Sequence, residues 1–198
     1  MPNWCENQMW VQGKKEKVDK FDEDFHSKPG IWPISQTAKM TSGSSLEQLV
    51  KDKLEERRNA EEKRCFYALY PQPVGVIMNG YSPIGDRTRG PNCSGYSWNN
   101  AYWGTKWDVY GRVDTATSID LPDKHYLYEF QTAWSPPLPW LDQLVLDYPE
   151  INFKLWYEER GAAFAGTVTY EGGDLISNKE YQPKHKVDYC EFAGELFA

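Results

Sequence analysis

The sequence predicts an α+β fold on a βαββαβ plan, an antiparallel sheet with helices on one face, plus a helical and loop insertion. Three observations carry this reading. Segments alternating apolar and polar residues lie near both ends of the chain, stretches with apolar residues at helical spacing stand between them, and residues 28–95 interrupt the pattern. The 198 residues suit one composite domain, 1–198, with 28–95 inserted in it.

Cys5 to Gln12 sets Cys5, Asn7, Met9 and Val11 against Glu6, Gln8, Trp10 and Gln12, a strand that Gly13 closes. Lys14 to Ser27 places Val18, Phe21 and Phe25 on one helical face before Pro29-Gly30. Within the insertion, Ser44-Ser45-Leu46-Glu47 has capping-box form, and Leu46, Leu49, Val50 and Leu54 predict a helix over about 45–64 with a solvated second half. Cys65 to Tyr70 reads as a short strand. Residues 71–95, dense in Gly and Pro, read as a loop.

Strands return at Trp107 to Thr115 and His125 to Thr132. Leu138 to Tyr148 is a helix with Pro139 in its first turn and Trp140, Leu141, Leu144 and Tyr148 along one side. Ile151 to Tyr157 and Phe164 to Tyr170 alternate around Glu159-Arg160-Gly161, which predicts a hairpin. Asp174 to Ala198 carries no decisive pattern, although Tyr189, Phe192 and Phe197 favour packing back on the body.

Aliphatic residues are sparse, and 9 Trp, 13 Tyr and 8 Phe supply the apolar area, so the core is expected to be aromatic. The net charge of -7 argues against wholesale binding to nucleic acid. From Leu141 onward there are 11 acidic and 5 basic residues, which makes an acidic C-terminal surface. That surface either aids solubility or imitates nucleic acid toward a partner. Cys5, Cys65, Cys93 and Cys190 are scattered without metal-ligand spacing. No apolar run approaches the roughly 20 residues of a membrane span, and MPNWCENQ has no signal-peptide pattern. A soluble cytoplasmic chain with reduced thiols is expected, with no membrane partner.

Three blocks, MPNWCEN at the start, WGTKWD at 103–108 and FQTAWSPPLPWLDQLVLDYPEINFKLWYEERGAAFAG at 130–166, resemble the phage- and plasmid-borne YubB-like family. The resemblance implies a ferredoxin-like C-terminal part and an accessory protein of a mobile element working in the cytoplasm of a bacterial host cell. Tyr102 stands where that family usually carries an Asn. The insertion matches no pattern of the family.

Catalysis finds little support. His26, His125 and His185 fall in different elements, YSPIGDRTRG lacks the ending of a phosphate-binding loop, and Glu158 and Glu159 point to opposite strand faces. No enzyme activity, cofactor or metal is expected. Binding is the better expectation, and a host or competitor protein is the leading partner, as for a counter-defence inhibitor. The alternative partner is a nucleotide or single-stranded nucleic acid. Tyr110, Arg112, Lys154 and Trp156 would then form a stacking and charge platform on the open sheet face, unless the insertion covers that face as a second core. Arg87, Arg89, Tyr96 and Trp98 would hold a phosphate and a base. Trp103 and Trp107 are expected to be structural and Trp98 partly exposed, while Lys106 and Asp108 either pair across the turn or emerge on the open face.

Overall fold

The computed structural model describes residues 3–27, 55, 59, 62–81, 90–120 and 123–181. Its sheet is organised around β1 (Trp4–Lys14), whose alternation buries Cys5, Asn7, Met9 and Val11. After it come α1 (Lys15–Phe25) and the two-residue strands β2 (His26–Ser27) and β3 (Lys63–Arg64), which pair antiparallel. The chain that leaves at Ser27 therefore returns beside it at Lys63. Next are α2 (Phe66–Leu69), α3 (Val74–Met78), a 3-10 turn (Pro91–Cys93) and α4 (Gly95–Tyr102). The order closes with β4 (Tyr110–Asp120), β5 (Asp123–Ala133), α5 (Leu138–Asp147), β6 (Asn152–Glu159), β7 (Phe164–Glu171) and β8 (Asp174–Tyr181).

The main sheet has the order β4-β5-β1-β6-β7-β8, antiparallel throughout. Its first four members make the βαββαβ unit, and β7 and β8 extend it as a meander. The α+β, ferredoxin-like expectation is met. Val18, Phe21 and Phe25 of α1 and Trp140, Leu141, Leu144 and Val145 of α5 are buried with Met9, Val11, Tyr128, Phe153 and Leu155 of the sheet. Aromatic rings do most of the filling: Phe21 meets Tyr148 at 5.2 Å and Phe153 at 5.5 Å between centroids, and Phe66 meets Trp140 at 4.4 Å. Each such side chain contributes roughly 1.5–3 kcal/mol through burial.

Three expectations are corrected and one open stretch gains an element. The helix anticipated to about residue 64 ends earlier, since Lys63 and Arg64 are in β3; most of its length lies outside the described residues. Cys65 to Tyr70 contains α2 rather than a strand. Asp108 explains this, because its carboxylate accepts the backbone N–H of Phe66 (2.7 Å) and Tyr67 (3.2 Å), capping the helix from 41 to 42 residues away. The stretch 71–95 holds α3 and the 3-10 turn as well as loop, and the C-terminal region, which carried no decisive pattern, supplies β8, whose register with β7 begins at Asp174↔Glu171; Tyr189, Phe192 and Phe197, expected to pack back, lie outside the described residues.

Arg64 ties the insertion to the core. Its guanidinium makes two bonds to Asp22, 2.8 and 2.9 Å long, and the Tyr128 hydroxyl donates to the same carboxylate at 2.9 Å. That pairing raises the Arg64 pKa further. The buried Cys5 and Cys65 thiols are free and pushed up to about 12 by desolvation, which keeps them protonated and unreactive. No helix among the described residues is long and apolar enough to cross a membrane.

Candidate ligand-binding cleft

Residues 94–108 fold as a helix and a tight turn. The Ser94 hydroxyl accepts the Ser97 N–H at 3.3 Å and starts α4, so Trp98 and Tyr102 share a face at i,i+4 with ring centroids 5.0 Å apart. Trp98 packs against Tyr70 and Trp103, each at 5.4 Å, and is 2% exposed. The partial exposure expected of it is wrong, because the stretch is helical and α2 with the adjoining Tyr70 supplies its second core. Tyr96, on another side of the same helix, meets Tyr81 edge-on at 5.5 Å.

After α4 the chain reverses at Gly104, with φ at +79°, where a Cβ would overlap Pro139 Cδ. Three bonds then fix the turn between α4 and the end of β5. Asn99 Nδ2 donates to Lys106 O at 2.9 Å, Thr105 Oγ1 to Ala133 O at 3.0 Å, and Ser135 Oγ to Gly104 O at 2.6 Å. Beside it stands Trp134, a non-glycine residue at φ +76° whose N–H donates to Asn3 O at 3.1 Å. That backbone costs roughly 1–3 kcal/mol and holds a ring that is 49% exposed.

Between these pieces lies Lys106. Its Nζ is 4.2 Å from the Trp107 ring centroid and 5.2 Å from that of Trp134, a cation held against two indoles. Desolvation lowers its pKa from the ordinary lysine value, and among the described residues no carboxylate pairs with it. It lines a cleft of about 520 Å³ with Tyr81, Tyr96, Asn100, Trp107, Ala133, Trp134 and Ser135. Tyr81 and Trp107 are hydrogen-bonded to each other, and burial pushes the Tyr81 phenol up. The walls therefore offer ring faces to a planar ligand and, to an anionic group, one ammonium that no described carboxylate neutralises.

Of the residues singled out from the sequence, the cleft unites Tyr96 and Lys106. Asp108 is not on a binding face; besides capping α2 it accepts the Val109 N–H at 2.8 Å, and burial raises its pKa against the lowering effect of those three donors. Lys106 and Asp108 do not pair across the turn. Arg87 and Arg89 lie outside the described residues. Trp107, expected in the core, is half-buried at the cleft instead.

The proposed sheet platform is divided. Tyr110 and Arg112 are exposed on β4, and Lys154 and Trp156 are on β6, three strand spacings or roughly 14 Å across the sheet. Register separates them further, since Tyr110 lies in the row of Gln131, Glu6 and Glu158. Carboxylates occupy the space between, with Glu6 opposite Glu158 and Asp114 opposite Glu129. Trp156 is 9% exposed, and Lys154 Nζ lies 5.6 Å from the Trp10 ring. This face is largely self-packed and acidic.

Sequence reasoning missed Tyr81, Trp107 and Trp134 as cleft residues. The available signal for Trp134 is its place in TAWSPP, a bulky ring between a strand end and two prolines that prevent the strand from continuing.

No curated protein matches the chain. Among solved structures, the crystal structure of a protein api92 from Yersinia pseudotuberculosis is similar, with a TM-score of 0.58 and 10% sequence identity over 93% of this chain and 100% of that one. This likeness is one of fold. Residues 105–193, which include Lys106, Trp107, Trp134 and Ser135, match the family model described as the ferredoxin-like domain in Api92-like protein.

Proposed function

We propose that this protein binds a nucleotide in the cleft without transforming it, the base stacking on the aromatic walls and the phosphate meeting Lys106. The observation that carries the reading is an ammonium with no carboxylate partner among the described residues, held between Trp107 and Trp134 at a cavity of about 520 Å³. A phosphate supplies the missing counter-ion in a partly desolvated setting, where a charge-assisted bond is stronger than in water. Binding is favoured over catalysis because the Ser135 hydroxyl is committed to Gly104 O, and the described lining residues include no His or carboxylate to activate it.

A thermal shift panel of nucleoside monophosphates tests the proposal. At a hundredfold excess over Kd a ligand stabilises by about 2.7 kcal/mol, a rise of roughly 5–10 °C in Tm for a chain of this size. Lys106→Met and Trp134→Ala should each abolish the shift while leaving the unliganded Tm within a few degrees. No shift with any nucleotide, and no ultraviolet-absorbing small molecule released on denaturing the purified protein, would refute the reading.

A second reading, an accessory protein of a mobile element that docks on a host or competitor protein, draws on the YubB-like resemblance. It is also supported by Leu146, Leu175 and Ile176, which are 73%, 54% and 57% exposed. Affinity capture from host lysate with wild-type protein and with Leu146→Ser decides it, the variant losing a stoichiometric partner that the wild type retains.

A further inference from the structure

The cleft does not end at Trp107. Trp107 is 6.2 Å from Trp4, and Trp4 stacks on Tyr110 at 4.0 Å with an interplanar angle of 27°. The rings at the two ends of this series, Trp134 and Tyr110, are 49% and 51% exposed, well above the other tryptophans and tyrosines that fill the core. Tyr110 is opposite Gln131 on β5, three residues before Trp134, so no more than about 11 Å of chain separates the backbone level of Tyr110 from that of Trp134. Exposing two large rings at opposite ends of a series that Lys106 bridges on one side and ring contacts continue on the other costs hydrophobic stabilisation unless something covers them.

Positive charge accompanies the series at both ends. Lys106 stands between Trp134 and Trp107, and Arg112 is exposed in the irregular stretch two residues beyond Tyr110. Past it the sign changes at Asp114, opposite Glu129, and across the sheet it changes at Glu6, in the row of Tyr110 and Gln131. A polyanion is thus accepted over a short distance and repelled beyond it.

From this arrangement we infer that the ligand of the cleft is a short single-stranded oligonucleotide, two to three nucleotides in contact, with one base at Trp134 and another on the outer face of Tyr110. The inference rests on the nucleotide reading of the cleft and adds a second stacking position to it. Ring stacking carries the affinity in this arrangement, and two cations set the direction of the strand.

Calorimetric titration of the full chain with adenosine monophosphate and with unlabelled adenylate oligomers of two, three and four units tests it, in ribose and deoxyribose forms. Affinity should rise about tenfold from the monomer to the trimer and level off at the tetramer. Tyr110→Ala should remove that gain without altering monophosphate affinity; Tyr110 is half exposed, and far-ultraviolet circular dichroism verifies that losing its stack on Trp4 leaves the fold intact. Arg112→Ala should reduce the salt dependence of trimer binding by about 0.7 in the slope of log K against log salt, the value for one phosphate on a single strand.

Equal affinity for monomer and trimer would overturn the inference and leave the nucleotide reading standing. So would a length dependence that Tyr110→Ala does not touch. Absence of binding at every length overturns both, and capture of a protein that protects Trp134 and Tyr110 from modification would assign the surface to a protein partner instead.

Discussion

Gly104 shows how one residue sets the geometry of the cleft. With φ at +79°, and Pro136 O 3.1 Å from where a Cβ would stand, it allows the turn to press against the Pro139 ring. Gly104→Ala adds both left-handed strain and overlap, and should cost roughly 2–4 kcal/mol in urea unfolding. It should also weaken ligand binding, because Lys106 and Trp107 follow the same turn. Asp19 is a second case, with a sign fixed by its pKa. Bonds from Lys124 and Lys15 lower its carboxyl from 3.8 to about 2. A depressed carboxylate stabilises the fold fully above its unfolded pKa and loses that contribution as pH falls through the folded one. Lys124→Met should therefore destabilise by about 1 kcal/mol or less at pH 7, given the partial exposure of the pair, and the difference from wild type should shrink between pH 4 and pH 2.

At the scale of elements, α2 is held from a distance. Four residues cannot sustain a helix by propensity, and Asp108 satisfies two of its initial N–H groups. Asp108→Ala should cost roughly 1–3 kcal/mol and loosen the packing of Phe66 on Trp140, measurable as faster amide exchange at Ala68 and Tyr70. Asp108→Asn keeps one acceptor oxygen and should lose less. This dependence also explains what the sequence conveyed and what it did not. Strands β1, β6 and β7 and helices α1 and α5 were legible because a residue period of 2 or 3.6 is local information. The helix at Phe66 was not, since its cap comes from another part of the chain, and Trp98 was misplaced because its burial depends on that same helix. Tyr96 was singled out for its place beside the arginine-bearing loop and Lys106 for its place beside Trp107, neither for a shared cleft; that two indoles would bracket Lys106 depends on the backbone of Trp134, which no local pattern announces.

For the whole molecule, the arrangement of strands concentrates stability in β1. Hairpin β4-β5 lies on one side of it and the meander β6-β7-β8 on the other, each formed by neighbours in sequence. Within the sheet, among the described residues, β1 joins them through pairings such as Trp4↔Ala133 and Glu6↔Glu158 that span more than a hundred residues. Such long-range closure slows folding and makes the last strand to dock decisive for both halves. Met9, fully buried in β1 between Tyr128 and Leu155, is the residue to probe. Met9→Ala should cost about 2–5 kcal/mol. If the chain is one composite domain, the loss should appear as a shift of a single transition, coincident by tryptophan fluorescence and far-ultraviolet circular dichroism. Two separated transitions, with β6-β7-β8 melting apart from β4-β5, would mean that β1 bridges two folding units rather than completing one.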